Sequence, residues 1–437
     1  MMKKFVFNLV LILSCFAFIN FHHAVLAKVY VDIDSPTFRP MPIAIADFNN
    51  RAQGAGTPAD RGSAVAEAVR QDLVITGIFN IINKKSFLEA NTAVDKINPS
   101  DWLPLGADYL LKGEVVRNDQ EIIAHGYLFD VSRGEIIFAR KYRATADQSK
   151  ALSRAIAVDI MRALVNDEGE FNTQIAFIPK NGLKSDIHSI GYDGTGLKAI
   201  TGHKSILMAP RWSPDGRLLA FTSFKRGRPE IYIRNLKSGA EKKVAAFEGM
   251  NLCGSFSPDN RKLLLTLSRD GNNEIYSLDI DSLALRRLTN NHAIDVSPAW
   301  SPDGKKIAFV SNRSGSPQIY SMDADGSNVK RITYEGAYNS SPVWSPRGDD
   351  LAYEGQVGNR YQIFVIPAEG GNARQLTSDS ANNESPSWSP SGRQIAYVSR
   401  KPSKSRLMIM NSNGSSPRQV YETHQKLVMS AWSPRLK

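Results

Sequence analysis

Cysteine is scarce in this chain. Of 437 residues two are Cys, Cys15 within an apolar N-terminal run and Cys253. Once that run is removed a single thiol remains, which rules out an intramolecular disulfide. Acidic residues are in deficit, 43 against 54 lysines and arginines, for a formal net charge of +11, and such a balance favours partners with acidic groups. The apolar run from Phe5 to Ile19 is too short for a spanning helix, which needs about 20 residues. With Lys3 and Lys4 before it and Ala24 to Ala27 after it, it makes residues 1–27 a secretory signal peptide cleaved after about Ala27. Cys15 sits inside the run, with Leu13 two residues before it, a poor lipidation site.

Catalytic signatures are missing as well. The sequence has no G-x-S-x-G, H-E-x-x-H, G-x-G-x-x-G or Walker motif. His125, His188, His203, His292 and His424 show no ligand spacing, and no His/Asn pattern surrounds Cys253. No enzyme, metal or cofactor is expected. The stretch from Asp323 to Asn328 is faintly like a calcium loop but lacks the distal Glu, and its place in the repeat makes it a hairpin turn.

What the sequence does have is a repeat. Trp300-Ser301-Pro302-Asp303-Gly304 is one copy of six, and its aromatic recurs as Trp212, Phe256, Trp300, Trp344, Trp388 and Trp432 at steps of 44 residues. A period-two apolar triplet follows each turn (Leu219 to Phe221, Ile307 to Phe309). A second strand signal follows that (Ile231-Tyr232, Ile319-Tyr320), and Leu288-Thr289 or Ile332-Thr333 marks another. Four short strands in a unit of about 40–50 residues predict a β-propeller blade. In the turn Pro presets φ, Asp caps neighbouring N–H groups and Gly takes the left-handed conformation, so the motif is scaffold, with its Trp wedged between blades. Counting back from the second repeat places outer strands at Ile175 to Phe177, Ile187-His188 and Ile200-Thr201, without an inner strand. The strand from Lys426 to Pro434 has no blade after it and must return to complete the first. Residues 174–437 thus form a six-bladed propeller closed by a C-terminal strand.

Before the propeller, Lys28 to Arg39 is a proline-spaced extended arm. Residues 28–165 read as an α/β domain with a mixed sheet and two helices, from about Pro58 to Thr76 and from Asp147 to about Val165, whose apolar faces carry Val65, Val69 and Leu73 and then Leu152, Ile156, Ile160 and Leu164. Residues 166–173 read as a linker. The segments joining second to third strands hold eleven cations against one acid, Asp270. They include Lys225, Arg226, Arg228, Arg269, Arg313, Arg360 and Arg400, and predict a basic rim on the face where each inner strand begins, a docking surface for an acidic partner. An exported chain leaves nucleic acid out.

A signal peptide, a two-helix α/β domain and six W-S-P-D-G-type blades closed by Ala431-Trp432-Ser433-Pro434 resemble, over the whole chain, the TolB family, periplasmic propellers of the Tol-Pal system. Peptidases of the prolyl-oligopeptidase type share the propeller motif but carry a hydrolase domain with no counterpart here. The resemblance implies a non-enzymatic, monomeric adaptor linking TolA to the lipoprotein Pal, and supporting outer-membrane integrity and invagination at cell division. Other outer-membrane or peptidoglycan-associated proteins are further expected partners. Aligned on the W-S-P turns, the family's Pal contact falls on Met250, Cys253 and Val296, with Asn251, Asp295, Asn339 and Glu384 sharing the rim. The TolA-responsive segment is the arm, with Val29, Val31, Ile33 and Phe38. The alternative is a periplasmic propeller that binds carbohydrate or acts as a lyase.

Overall fold

Alternating apolar residues build the N-terminal sheet. In the strand Glu121–Asp130, Ile122, Ala124, Gly126 and Leu128 are buried while Ile123, His125 and Tyr127 between them are half-buried. The computed structural model describes residues 38–51, 61–87, 93–117, 121–145 and 148–436; the signal peptide and Val29, Val31 and Ile33 of the arm lie outside the described residues. The strands are β1 (Met41–Ile45), β2 (Asn49–Arg51), β3 (Phe79–Ile81), β4 (Tyr109–Arg117), β5 (Glu121–Asp130) and β6 (Glu135–Thr145). They run in the order β3-β1-β4-β5-β6, with β2 also paired to β4. β1 lies parallel to β3 and β4, and β4 to β6 form an antiparallel meander, so the sheet is mixed. Helices α1 (Arg61–Val74) and α2 (Ser149–Val165) lay Val65, Val69 and Leu73, and Leu152, Ile156 and Ile160, into one core. Asn166, at φ 53°, ends α2 in the left-handed conformation and returns its N–H to the Arg162 carbonyl.

Five four-stranded antiparallel sheets follow, at residues 207–245, 251–287, 295–331, 339–375 and 382–423. The remaining blade pairs β7 (Gln174–Asn181) with the strand Lys426–Trp432, from Lys426 opposite Lys180 to Trp432 opposite Ile175. The C-terminal strand closes the ring. Each S-P-x-G turn is a satisfied β-turn. Gly216 and Gly304 donate to the carbonyls of Ser213 and Ser301 at φ near 70°, and Asn260 does the same at φ 61°. The serine adds what its small size hid. Ser301 Oγ donates to Asp303 and accepts the N–H of Lys306. The indole N–H of Trp344 donates to the carbonyl of Ala299 in the preceding blade, and those of Trp388 and Trp212 repeat the contact with Val343 and Ala431. The aromatic is therefore a stitch between blades as well as a wedge.

Residues 166–173, which join the two regions, are partly buried between them. Glu170, Phe171 and Thr173 are all buried. Asp167 pairs with Arg435 at 2.7 Å and Arg393 at 3.3 Å, and Trp432 donates to Thr173. Next to this segment, Tyr192 bonds the carbonyl of Ile75 at the end of α1, and Gln394 reaches the same oxygen at 3.1 Å. Gly77, at φ 71°, brings the chain so close to Asn411 that a Cβ would stand 2.6 Å from its side chain. One contiguous apolar core runs from the two helices through Tyr192 and Trp432 to Ala396, Val398 and Leu407. Domains that share a core in this way behave as one body. The contact uses the ring's S-P-x-G turns, at Ser391 and its neighbours, so the opposite face, where inner strands begin, stays open.

Candidate functional site

On that open face four of the six inner strands carry a buried polar residue at their start, where the other two carry Leu207 and Leu427. Asn251, Asp295, Asn339 and Asn383 occupy the same place in four blades, and all are buried. Asn339 donates to Gln318 at 2.8 Å and to the carbonyl of Glu335 at 2.7 Å. Gln318 in turn accepts from Thr333, which holds the N–H of Ile319. Asn383, Gln362 and Thr377 repeat this arrangement. Asn251 bonds both the N–H and the carbonyl of Phe247. These side chains hold the loops in place from beneath, because a buried amide must find partners.

The expected contact residues therefore divide. Asn251, Cys253, Asp295 and Asn339 are at most 5% exposed, so in the free chain they lie beneath the surface that the other expected residues present. Burial pushes the Cys253 thiol up to about 12, which leaves it an inert small apolar group. Val296 is half-buried, and Met250 is exposed. Glu384 is half-buried and pairs with Arg400. Burial pushes its carboxyl up against the pull of Arg400, and Glu354 adds to the rise. Glu354 itself accepts hydrogen bonds from Ser340, Ser341 and the N–H of Ser385, tying two neighbouring inner strands together. Phe38, expected in the arm, packs against the α/β core.

The basic rim is present but largely neutralised. Lys225 pairs with Glu241 at 2.9 Å and Arg313 with Asp295 at 2.9 Å. Arg228 and Arg269 reach Glu230 and Asp270 at 3.8 and 3.4 Å. Glu241 gathers Lys225, His203 and Arg234. Burial opposes its charge, but these hydrogen bonds win and hold its carboxyl below the ordinary range. Aromatic rings carry the same cations, with Lys225 3.8 Å from the Tyr232 centroid and Arg313 5.0 Å from that of Tyr320. Arg226 and Arg360 alone of the seven make no ion pair among the described residues. The neutralising acids Glu230, Glu241, Asp295 and Glu384 lie outside the segments whose cations predicted the rim.

What the sequence reading missed is apolar. Beside the expected Met250, Leu183, Ile294, Tyr334 and Val357 are exposed on this face, Tyr334 at 70% and Leu183 at 75%. Repeat arithmetic could have found Ile294, since it stands 44 residues after Met250. The face thus combines fixed loops, paired charge and large apolar tips, a composition suited to a protein surface rather than to chemistry.

A family model described as the TolB beta propeller domain matches residues 161–436, and one described as the TolB amino-terminal domain matches residues 29–137. A curated relative, "Tol-Pal system protein TolB" of Syntrophus aciditrophicus (strain SB), is 45% identical over 235 residues, 52% of this chain and 51% of its own. Another of that name, from Anaeromyxobacter dehalogenans (strain 2CP-1 / ATCC BAA-258), is 34% identical over 203 residues, 46% of each. The chain spans about half the length of the curated relatives it matches. Among solved structures, TolB from Acinetobacter baumannii superposes with a TM-score of 0.80 at 30% identity, covering 91% of this chain and 97% of that one.

Proposed function

The chain belongs to the TolB family, and from that premise we propose that it is a non-enzymatic periplasmic adaptor of the Tol-Pal system, docking Pal on the open face of its propeller and communicating with TolA through the N-terminal arm. It reaches the periplasm with residues 1–27 removed, and supports outer-membrane integrity and invagination at division. One observation carries the docking face. Met250, Ile294 and Tyr334 stand exposed around loops fixed from below by Asn251, Asp295 and Asn339. Prearranged loops lower the ordering cost of association, and exposed aromatic and aliphatic tips beside neutralised charge supply hot-spot contacts.

Calorimetric titration with purified Pal tests this reading. Met250→Asp, Ile294→Asp and Tyr334→Ala together are expected to weaken binding by at least about 2 kcal/mol, the hot-spot threshold, with melting unchanged. Deleting residues 28–37, which keeps Phe38 in its core contact, is expected to abolish TolA binding and spare Pal. Full Pal affinity in the triple variant refutes the docking face, and saturable heat on titration with envelope glycans favours the carbohydrate alternative.

A further inference from the structure

The opposite mouth of the central channel, on the side of the S-P-x-G turns, is a cavity of about 380 Å³ walled by Trp212, Trp300, Trp344, Trp388 and Trp432. Its lining includes one charged side chain, Arg211, and no carboxylate. In the other blades the place of Arg211 is taken by Ser255, Ala299, Val343, Ser387 and Ala431, so the repeat calls for a small neutral residue and one blade supplies a long cation. Arg211 makes no ion pair among the described residues, and its one hydrogen bond is a 3.4 Å contact to the neighbouring carbonyl of Pro210. Acids near this end are engaged elsewhere. Asp215 and Asp303 each accept from the serine and a backbone N–H of their own turns. Arg211 is half-buried, and the protein packed around it disfavours its charge, with no counter-ion beside it. Among the described residues the Trp300 indole N–H, buried between blades, has no acceptor, whereas those of the other four tryptophans are all bonded.

We propose that this mouth binds an oxyanion, a carboxylate or phosphate group, with Arg211 as the ion-pairing donor and the tryptophan ring as a wall that keeps water back and strengthens the pair. The cavity is large enough for a small organic anion or the end of a peptide chain. It lies across the ring from the proposed Pal face, and does not depend on that assignment.

Five of the chain's six tryptophans wall this mouth, so intrinsic emission reports on it. The mature protein would be titrated, at fixed ionic strength in chloride, with inorganic phosphate and with an acetylated tripeptide bearing either a free or an amidated C-terminus. A saturable emission change is expected, weakened at least tenfold in Arg211→Met, which keeps the stem without the charge, and retained in Arg211→Lys. The probe that binds should raise the melting temperature of the wild type and not that of Arg211→Met. Response to phosphate alone assigns a free ion, and response to the free-carboxylate peptide alone assigns a chain end. Equal binding by Arg211→Met, or no saturable response to any probe, overturns the site and leaves Arg211 a space-filler of the channel. Should Arg211→Met fail to fold, Arg211→Gln, which also removes the charge, takes its place, and binding equal to wild type by that variant overturns the site.

Discussion

The two faces of the ring are built from the same repeat, yet they satisfy their polar groups over different distances along the chain. On the turn face Ser301, Asp303 and Lys306 bond one another across two to five residues. On the loop face the partners are further apart, with Asn339 and Gln318 separated by 21 residues, Arg313 and Asp295 by 18, and Glu354 and Ser340 by 14. The Ser and Asp bonds of a turn close on themselves and repeat from blade to blade, even though the tryptophan before the turn reaches the preceding blade, and such turns can serve as a platform for the N-terminal domain. A loop held by side chains from other strands can differ from blade to blade, which is what a surface specific for one partner requires.

The largest expected effect comes where the turn face depends on the far end of the chain. Trp432→Ala removes a side chain that bonds Thr173 and packs 5.9 Å from the Tyr192 ring. It is expected to cost about 3–5 kcal/mol, the range for a buried Trp. Urea denaturation measures this, and a near-wild-type midpoint would mean that the ring closes without the C-terminal strand's anchor.

A matched pair of variants sharpens the contrast between the faces. Asn339→Ala leaves Gln318 and the Glu335 carbonyl short of a buried donor, and should cost about 1–3 kcal/mol. Asp303→Ala, on an exposed turn, should cost about 1 kcal/mol or less. Equal losses in the same denaturation experiment would erase the distinction between short-range and long-range satisfaction.

The smallest effect is a slope. Asp193 sits where blade meets α2, paired with Lys150 and, at 2.6 Å, with Arg154. Burial raises its pKa, but hydrogen bonds from Lys150 and Thr195 and the charge of Arg154 outweigh it, so the folded value lies well below the ordinary one. A depressed folded pKa stabilises the protein above about pH 3.9, the unfolded value, and that contribution is withdrawn as pH falls further. Buried Glu170 and Asp72, both raised by burial, act in the opposite sense, since their protonated forms fit the interface better. Asp193→Asn should therefore be less stable at neutral pH and lose less between pH 6 and 3 than the wild type. Melting curves across that range check it, and parallel declines would remove Asp193 from the acid response.

The repeat of 44 residues, the turn chemistry and the need for a returning strand were all legible in order along the chain. Each rests on local rules: Gly or Asn at positive φ, period-two strands, and an inner strand left without a blade. The α/β domain was legible for the same reason, since the spacing of Val65, Val69 and Leu73 already defines a buried helix face. The site was legible only as a location. Asn339 read as a rim residue because its position along the chain marks where the strand begins, whereas its burial follows from Gln318 and Thr333 closing over it. The rim read as basic because its acids lie on other strands. Sequence by itself determined the blades, their number and their closure, because the first two follow from signals within one repeat period and the third from an inner strand left over at one end and missing at the other. Tertiary structure alone decided which polar groups are hidden, which charges are neutralised and that Arg211 stands unpaired, because each depends on what another strand, of the same blade or the next, brings beside it.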